Sequence, residues 1–225
     1  MRGVIIIIII AIMLIGLLER ILFIKKMNNR LEYTLEYRDK FVEFCNKTMA
    51  TGKFSDSHYS FLAKDVNKIQ RELGLDGIVS VYRDPLAGIQ MNNYPIFLNF
   101  FSELRTELNV LGVFNDRLNL LIGWADEALL KHIGALEERI KAEKNVLKNP
   151  LYCFSKGIGF AISLPIKILE WCGILNPAYS KKVVSSKLYR AIEKVATLVG
   201  LVASIITAIM GWEWLINFCR AFIEK

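Results

Sequence analysis

Two apolar segments, one near each end, decide what this chain can fold into. Val4–Leu18 carries no charged residue, and after Glu19 and Arg20 the apolar pattern resumes through Ile24 before Lys25 and Lys26. A helix of about 20 predominantly apolar residues crosses a bilayer, so residues 1–24 are expected to form a transmembrane anchor, with Glu19 and Arg20 at the interface or turned toward protein. The run of isoleucines would suit a buried strand in water, but lipid admits only helices and closed barrels. A cleaved leader would need a small-x-small site, which Glu19-Arg20-Ile21-Leu22 does not offer, so an uncleaved anchor is expected. At the other end Val195–Trp212 is uncharged, and Trp212, Trp214 and Arg220 suit interfacial anchors, which predicts a second span over 195–219 and a short tail at 220–225.

Charge placement predicts the orientation. The net charge of +7 is uneven: from Lys25 to Lys156, 19 Lys and Arg face 17 Asp and Glu, whereas Lys181, Lys182, Lys187, Arg190 and Lys194 face only Glu193 in the basic segment 177–194. Lys25, Lys26, Arg30, Arg38 and Lys40 follow the first anchor, so both basic flanks are expected on the cytoplasmic side. A third apolar stretch, Gly157–Leu175, is interrupted by Pro165, Lys167 and Glu170. Were it to cross, the two basic flanks would be separated. Residues 151–176 are therefore read as a re-entrant or interfacial helix, kinked or broken at Pro165 and ended by Asn176-Pro177. The expected topology has two spans, both termini outside and residues 25–150 in the cytoplasm, as in a bacterial inner-membrane protein.

Between the spans the pattern is helical. Leu31, Leu35, Val42 and Cys45, with Thr34, Phe41 and Arg38, continue the first helix to about Met49. Leu62, Val66, Ile69 and Leu73 predict a helix over 55–73 stopped by Gly74, and 76–93 reads as a connection holding one short strand at Ile78–Tyr82. Asn93 is expected to cap a helix with Pro95 in its first turn and Phe97, Phe100, Phe101, Leu104, Leu108 and Leu111 on its core face. A long helix over 116–148 carries Leu118, Leu121, Ile122, Ala125, Leu129, Ile133, Leu136 and Ile140. The predicted fold class is an all-α membrane protein with a cytosolic antiparallel helical bundle between its spans.

No catalytic signature is present: the chain lacks a phosphate-binding loop, a dinucleotide turn, a nucleophile elbow and a zinc-ligand spacing, so no enzyme, cofactor or metal is expected. His58 and His132 read as surface or core histidines, and Glu137-Glu138 beside Arg139 and Lys141 as a solvated face. Cys45, Cys153, Cys172 and Cys219 are widely spaced and fit reduced, buried thiols.

The last span carries the candidate site. Ala196, Gly200, Ser204 and Ala208 recur every fourth residue, a face that lets membrane helices approach closely. Either the first helix or further copies of the chain would fit against it. Thr197, Ser204 and Gly211 recur every seventh residue with Thr207 alongside, a strip that can line a narrow path if copies assemble, with Glu213 at its mouth favouring cations. Lys181, Lys182, Lys187, Arg190 and Lys194 form a candidate contact for lipid headgroups or for an anionic ligand such as a nucleotide or oligonucleotide.

The layout of terminal membrane helices around a helical cytosolic domain is similar to that of membrane effectors and toxins of bacterial defence systems. That resemblance implies a homo-oligomeric, pore-forming effector or ion channel gated through the cytosolic domain, as in antiviral defence. The alternative is a non-conducting membrane scaffold or immunity-type protein that docks a cytosolic partner.

Overall fold

The computed structural model describes residues 2–54, 57–84, 89–111 and 116–223, and their side chains except at 2–5, 81–84, 89, 110–111, 204 and 207–223. Among the described residues there are eight α-helices and one hairpin: α1 (Arg2–Thr51), α2 (Tyr59–Lys64), α3 (Val66–Leu73), β1 (Ile78–Asp84), β2 (Ile89–Pro95), α4 (Ile96–Leu111), α5 (Asp116–Val146), α6 (Pro150–Trp171), α7 (Pro177–Val184) and α8 (Lys187–Ile223). They form two compact units. A middle unit comprises Lys26–Lys141, and a terminal unit comprises Met1–Lys25 with Ala142–Lys225.

The middle unit has an aromatic core. Tyr37, Phe41 and Phe44 lie one helical turn apart on α1, and Phe97, Phe100 and Leu104 do the same on α4, so each helix presents one apolar stripe and all six side chains are fully buried. The Phe41 ring lies 4.8 Å from that of Phe100 and meets Phe97 edge-on at 5.7 Å, within the range where aromatic pairs attract beyond their burial. Leu62 of α2, Ile69 and Leu73 of α3, and Leu118, Leu121, Ala125 and Leu129 of α5 complete this core. The buried stripe of α1 is rotated from the expected one: Leu35 is exposed, while Tyr37 and Phe44 are buried. Tyr37 tolerates burial because its hydroxyl donates to the Leu62 carbonyl at 3.2 Å.

Local chemistry corrects several sequence expectations. The helix foreseen over 55–73 is divided at Asp65, whose carbonyl accepts from the Lys68 and Ile69 amides and so restarts the helix as α3. Gly74, at φ 56°, ends it as expected. The connection after it is a full antiparallel hairpin, pairing Ile78 with Pro95 and Tyr82 with Met91. The second strand escaped notice because Gln90, Asn92 and Asn93 are poor strand formers. Asn93 adopts φ 56° within β2 and is no cap. The first turn of α4 instead uses Gln70, whose Oε1 accepts from the Phe97 amide at 3.0 Å while its Nε2 donates to the Gly77 carbonyl at 2.9 Å. Gln70→Leu leaves two buried backbone groups without partners, and each such loss costs about 1–3 kcal/mol. A destabilisation of roughly 2–6 kcal/mol in denaturant unfolding of the middle unit's signal is the expected outcome.

The terminal unit is locked by glycine. A Cβ on Gly16 of α1 would overlap the Cys153 carbonyl of α6, and one on Gly157 of α6 would overlap the Ile12 carbonyl of α1. The two backbones therefore touch, the geometry in which dispersion and Cα–H···O contacts hold apolar helices together in lipid. Asn149 starts α6 by accepting from the Leu151 amide at 3.0 Å ahead of Pro150. Of the kink or break expected at Pro165 the break is absent, since α6 continues through that residue, and the helix ends at Trp171, four residues before Leu175. Gly173 at φ 73° closes it, with the Ile174 amide bonded back to the Leu169 carbonyl at 3.0 Å, and Asn176-Pro177 starts α7 instead.

Among the described residues two helices are long and apolar enough to cross a membrane: α1 in the stretch opening at Ile6, and α6, each with most of its apolar segment unburied. Ile7, Leu14, Leu18 and Leu22 are among the outward residues of α1, a surface that water disfavours and hydrocarbon accepts.

Candidate functional site

Two groups of charged side chains in the terminal unit lie where helices meet. In the first, Arg20 is only 14% exposed; its Nη2 lies 3.2 Å from Glu19 Oε1 and its Nη1 lies 3.7 Å from Glu143 Oε2. The Tyr152 hydroxyl donates to the same Glu143 oxygen at 3.1 Å. Arg20 is thus turned toward protein, one of the two placements the sequence allows for a charged pair interrupting an apolar helix.

The second is a groove of about 400 Å³ between α6 and α8, lined by Ser155 and Lys156 on one side and by Arg190, Glu193, Lys194, Thr197, Leu198 and Leu201 on the other. The helix pairing that forms it is again set by glycine. Glu193 packs where a Cβ on Gly159 would otherwise sit, the Tyr189 hydroxyl donates to the Gly159 carbonyl at 3.4 Å, and Gly200 lies against Ile158 and Phe154. On α8 the lining residues follow one stripe, 190, 194, 197, 198 and 201, so the charged end and the apolar end share a face. Among the described residues no carboxylate pairs with Lys156, Arg190 or Lys194 within salt-bridge distance. The groove holds three cations and one carboxylate.

The expected site residues divide accordingly. Arg190 and Lys194 line the groove, whereas Lys181 and Lys182 on α7 and Lys187 at the start of α8 are exposed and outside it. Thr197 lines it too, but its hydroxyl donates to its own helix at the Glu193 carbonyl, 2.7 Å away. Gly200 packs on α6, a partner that neither the first helix nor a second copy anticipated, and Ala196 is half-buried. Ser204, Thr207, Ala208, Gly211 and Glu213 are helical, and their side chains lie outside the described ones. Sequence reasoning missed Gly16, Gly157, Gly159 and Lys156. The available signal was glycine itself, which costs about 1 kcal/mol in a helix interior and is therefore informative where a helix retains it.

In the middle unit the ionisable side chains tie elements together. Arg30 Nε meets Glu72 Oε1 at 2.6 Å, and His132, buried on α5, places Nε2 3.2 Å from that oxygen and Nδ1 3.5 Å from Asp76 Oδ2. Arg38 makes a two-pronged contact with Asp126 at 2.7 and 3.1 Å. The Cys45 thiol is buried, and that burial pushes its pKa up, away from the reactive thiolate. Among the described residues no group of His, Cys, Asp and Glu is gathered to hold a metal ion. No family model matches the chain, and no match is found among curated proteins or solved structures.

Proposed function

We propose that the protein is a non-catalytic, homo-oligomeric membrane effector that conducts ions through its terminal unit under control of the middle unit. The observation that supports this reading is the charged groove of Lys156, Arg190, Glu193 and Lys194 beside helices α1 and α8 that turn many apolar residues outward. Hydrocarbon penalises bare charge, so ionisable side chains on membrane helices mark aqueous paths or bound ions. Three cations against one carboxylate give the groove an anion preference, opposite to the one expected of Glu213. Purified protein in liposomes is expected to pass chloride faster than potassium, and alanine at Lys156, Arg190 and Lys194 should reduce that preference. Absence of flux under every condition would remove the reading.

We also propose that α6 crosses the bilayer. It packs antiparallel to α1, since Gly16 meets Cys153 and Gly157 while Ile12 meets Gly157, and 22 residues of helix span roughly 33 Å. Cys172, exposed just beyond its end, then lies on the Met1 side, and Lys181 and Lys182 with it, against the charge rule that gave two spans. A membrane-impermeant maleimide should label Cys172 in intact spheroplasts; labelling only after lysis would restore the interfacial reading of 151–176.

A second reading, a non-conducting scaffold that docks a partner, is favoured by the contacts of α8. Gly200 is committed to α6 and the Thr197 hydroxyl to its own backbone, so neither is spare for a channel axis. A monomer or dimer in nanodiscs that binds a partner stably is its expected outcome, and a closed ring is the channel's.

A further inference from the structure

We propose that the elbow between α6 and α8, residues 171–188, seats in the headgroup layer of an anionic leaflet, with its aromatic and aliphatic side chains at the acyl boundary and Lys181, Lys182 and Lys187 against lipid phosphates. This rests on the placement of the terminal unit in a membrane and on nothing about conduction. It holds whether or not α6 crosses, because the end of a crossing helix and a helix lying on the leaflet both bring Trp171 to a lipid surface. The elbow has a fixed shape. Gly173 reverses the chain at φ 73°, the Ile174 and Leu175 amides donate to the Leu169 carbonyl at 3.0 and 3.2 Å, and the Asn176 side chain accepts from the Ala178 amide at 3.0 Å to start α7. Ser180 is buried and Val184 half-buried, which turns Tyr179 and Val183, one turn apart, outward with Lys182 beside them.

Exposure and charge decide the occupant together. Trp171 is 87% exposed and Tyr179 67%, and Ile174, Val183 and Leu188 are exposed as well. Water disfavours such a concentration of large apolar side chains, and tryptophan and tyrosine are the residues that gather where acyl chains meet headgroups. Residues 171–192 contain no Asp or Glu, so Lys181, Lys182 and Lys187 have no acidic neighbour within the elbow. A second copy of the chain would bring three more cations against these three. An anionic leaflet neutralises them and takes up the apolar residues beneath its headgroups. A soluble polyanion would meet the lysines and leave Ile174, Val183 and Leu188 in water.

The test is the depth of the elbow in lipid. The full-length protein carrying Cys219→Ser is spin-labelled at Cys172, which is exposed within the elbow while Cys45 and Cys153 are buried, and is reconstituted in phosphatidylcholine liposomes with or without phosphatidylglycerol. Accessibility to oxygen, which enters lipid, and to a nickel chelate, which stays in water, places the label. With phosphatidylglycerol the label is expected at headgroup depth. K181A/K182A/K187A should shift the balance between seated and free elbow toward water about a hundredfold, at about fivefold per lysine, and arginine at the same three positions should keep the depth. W171S/I174S/Y179S should leave the label in water. All six of these residues are exposed, so neither variant removes a buried contact. A label equally deep with and without phosphatidylglycerol, or in water in both, overturns the proposal, as does an unchanged depth in the triple alanine variant. Dipolar broadening between labels on separate molecules, with no entry into lipid, assigns the patch to a second copy and overturns it too. A label at Ile8→Cys of α1, in a Cys172→Ser background, separates the failures. Hydrocarbon at Ile8 with water at Cys172 removes the elbow alone, whereas water at both removes the membrane placement beneath it.

Discussion

Gly157→Leu in the full-length protein is expected to separate α1 from α6. Inserting methylenes into a packed contact costs about 1–3 kcal/mol when neighbouring side chains can shift. Here the obstacle is the Ile12 main-chain carbonyl, which cannot rotate away without breaking helical hydrogen bonds, so the cost lies at or above the top of that range. Thermal unfolding in detergent, followed by loss of the monodisperse peak in size exclusion, measures it. Gly16→Leu should behave alike because its obstacle is the Cys153 carbonyl. Gly123→Ala and Gly134→Ala supply the contrast. A Cβ at either position of α5 meets nothing within 4 Å, so each should gain about 1 kcal/mol from helix propensity. Equal tolerance at all four positions would mean that α1 and α6 do not touch.

Phe41→Ala is the second large effect and falls on the middle unit. Phe41 is fully buried, with its ring against Phe97 and Phe100, and phenylalanine truncation in such a site costs about 3–5 kcal/mol. That is a large part of the roughly 5–15 kcal/mol that holds a typical domain folded. The expected readout is a lower unfolding midpoint together with exposure of Cys45, one turn further along α1. Its thiol, inert while buried, should then react with a thiol reagent at neutral pH. Phe41→Leu, which keeps most of the volume, should cost less.

The helical elements were legible where one periodic stripe met one core. The α4 face of Phe97, Phe100 and Leu104 and the α5 face from Leu118 to Ile140 lie where the period places them. On α1 the stripe was read one step off. Leu35 seemed a natural core residue, yet the core takes Tyr37 and Phe44, because aromatic side chains fill more of the space facing α4 than leucine does. The split at Asp65, the strand through Asn92 and the use of Gln70 as a cap all depend on partners distant in sequence, which no local pattern announces.

The groove was half legible for a similar reason. Arg190 and Lys194 stood out as part of a basic run, but their separation from Lys181 and Lys182 is decided by where α8 begins and by which face packs on α6. Lys156 was counted with the balanced middle of the chain and so drew no attention. Gly157 opens that apolar stretch and Gly159 lies within it, with no local sign that they mark where α1 and Glu193 come closest.

The contact between Gly16 and Gly157 also orders events during synthesis. Gly16 leaves the ribosome about 140 residues ahead of Gly157, which at ordinary elongation rates is roughly 7–28 seconds. A first helix inserted in the bilayer, as proposed above, would wait there with its notch filled by lipid while all of Lys26–Lys141 emerges and can close around its aromatic centre. Only afterwards does the complementary notch arrive and displace that lipid. A truncated nascent chain halted before Pro150 should accordingly contain a protease-resistant middle and an unpaired anchor.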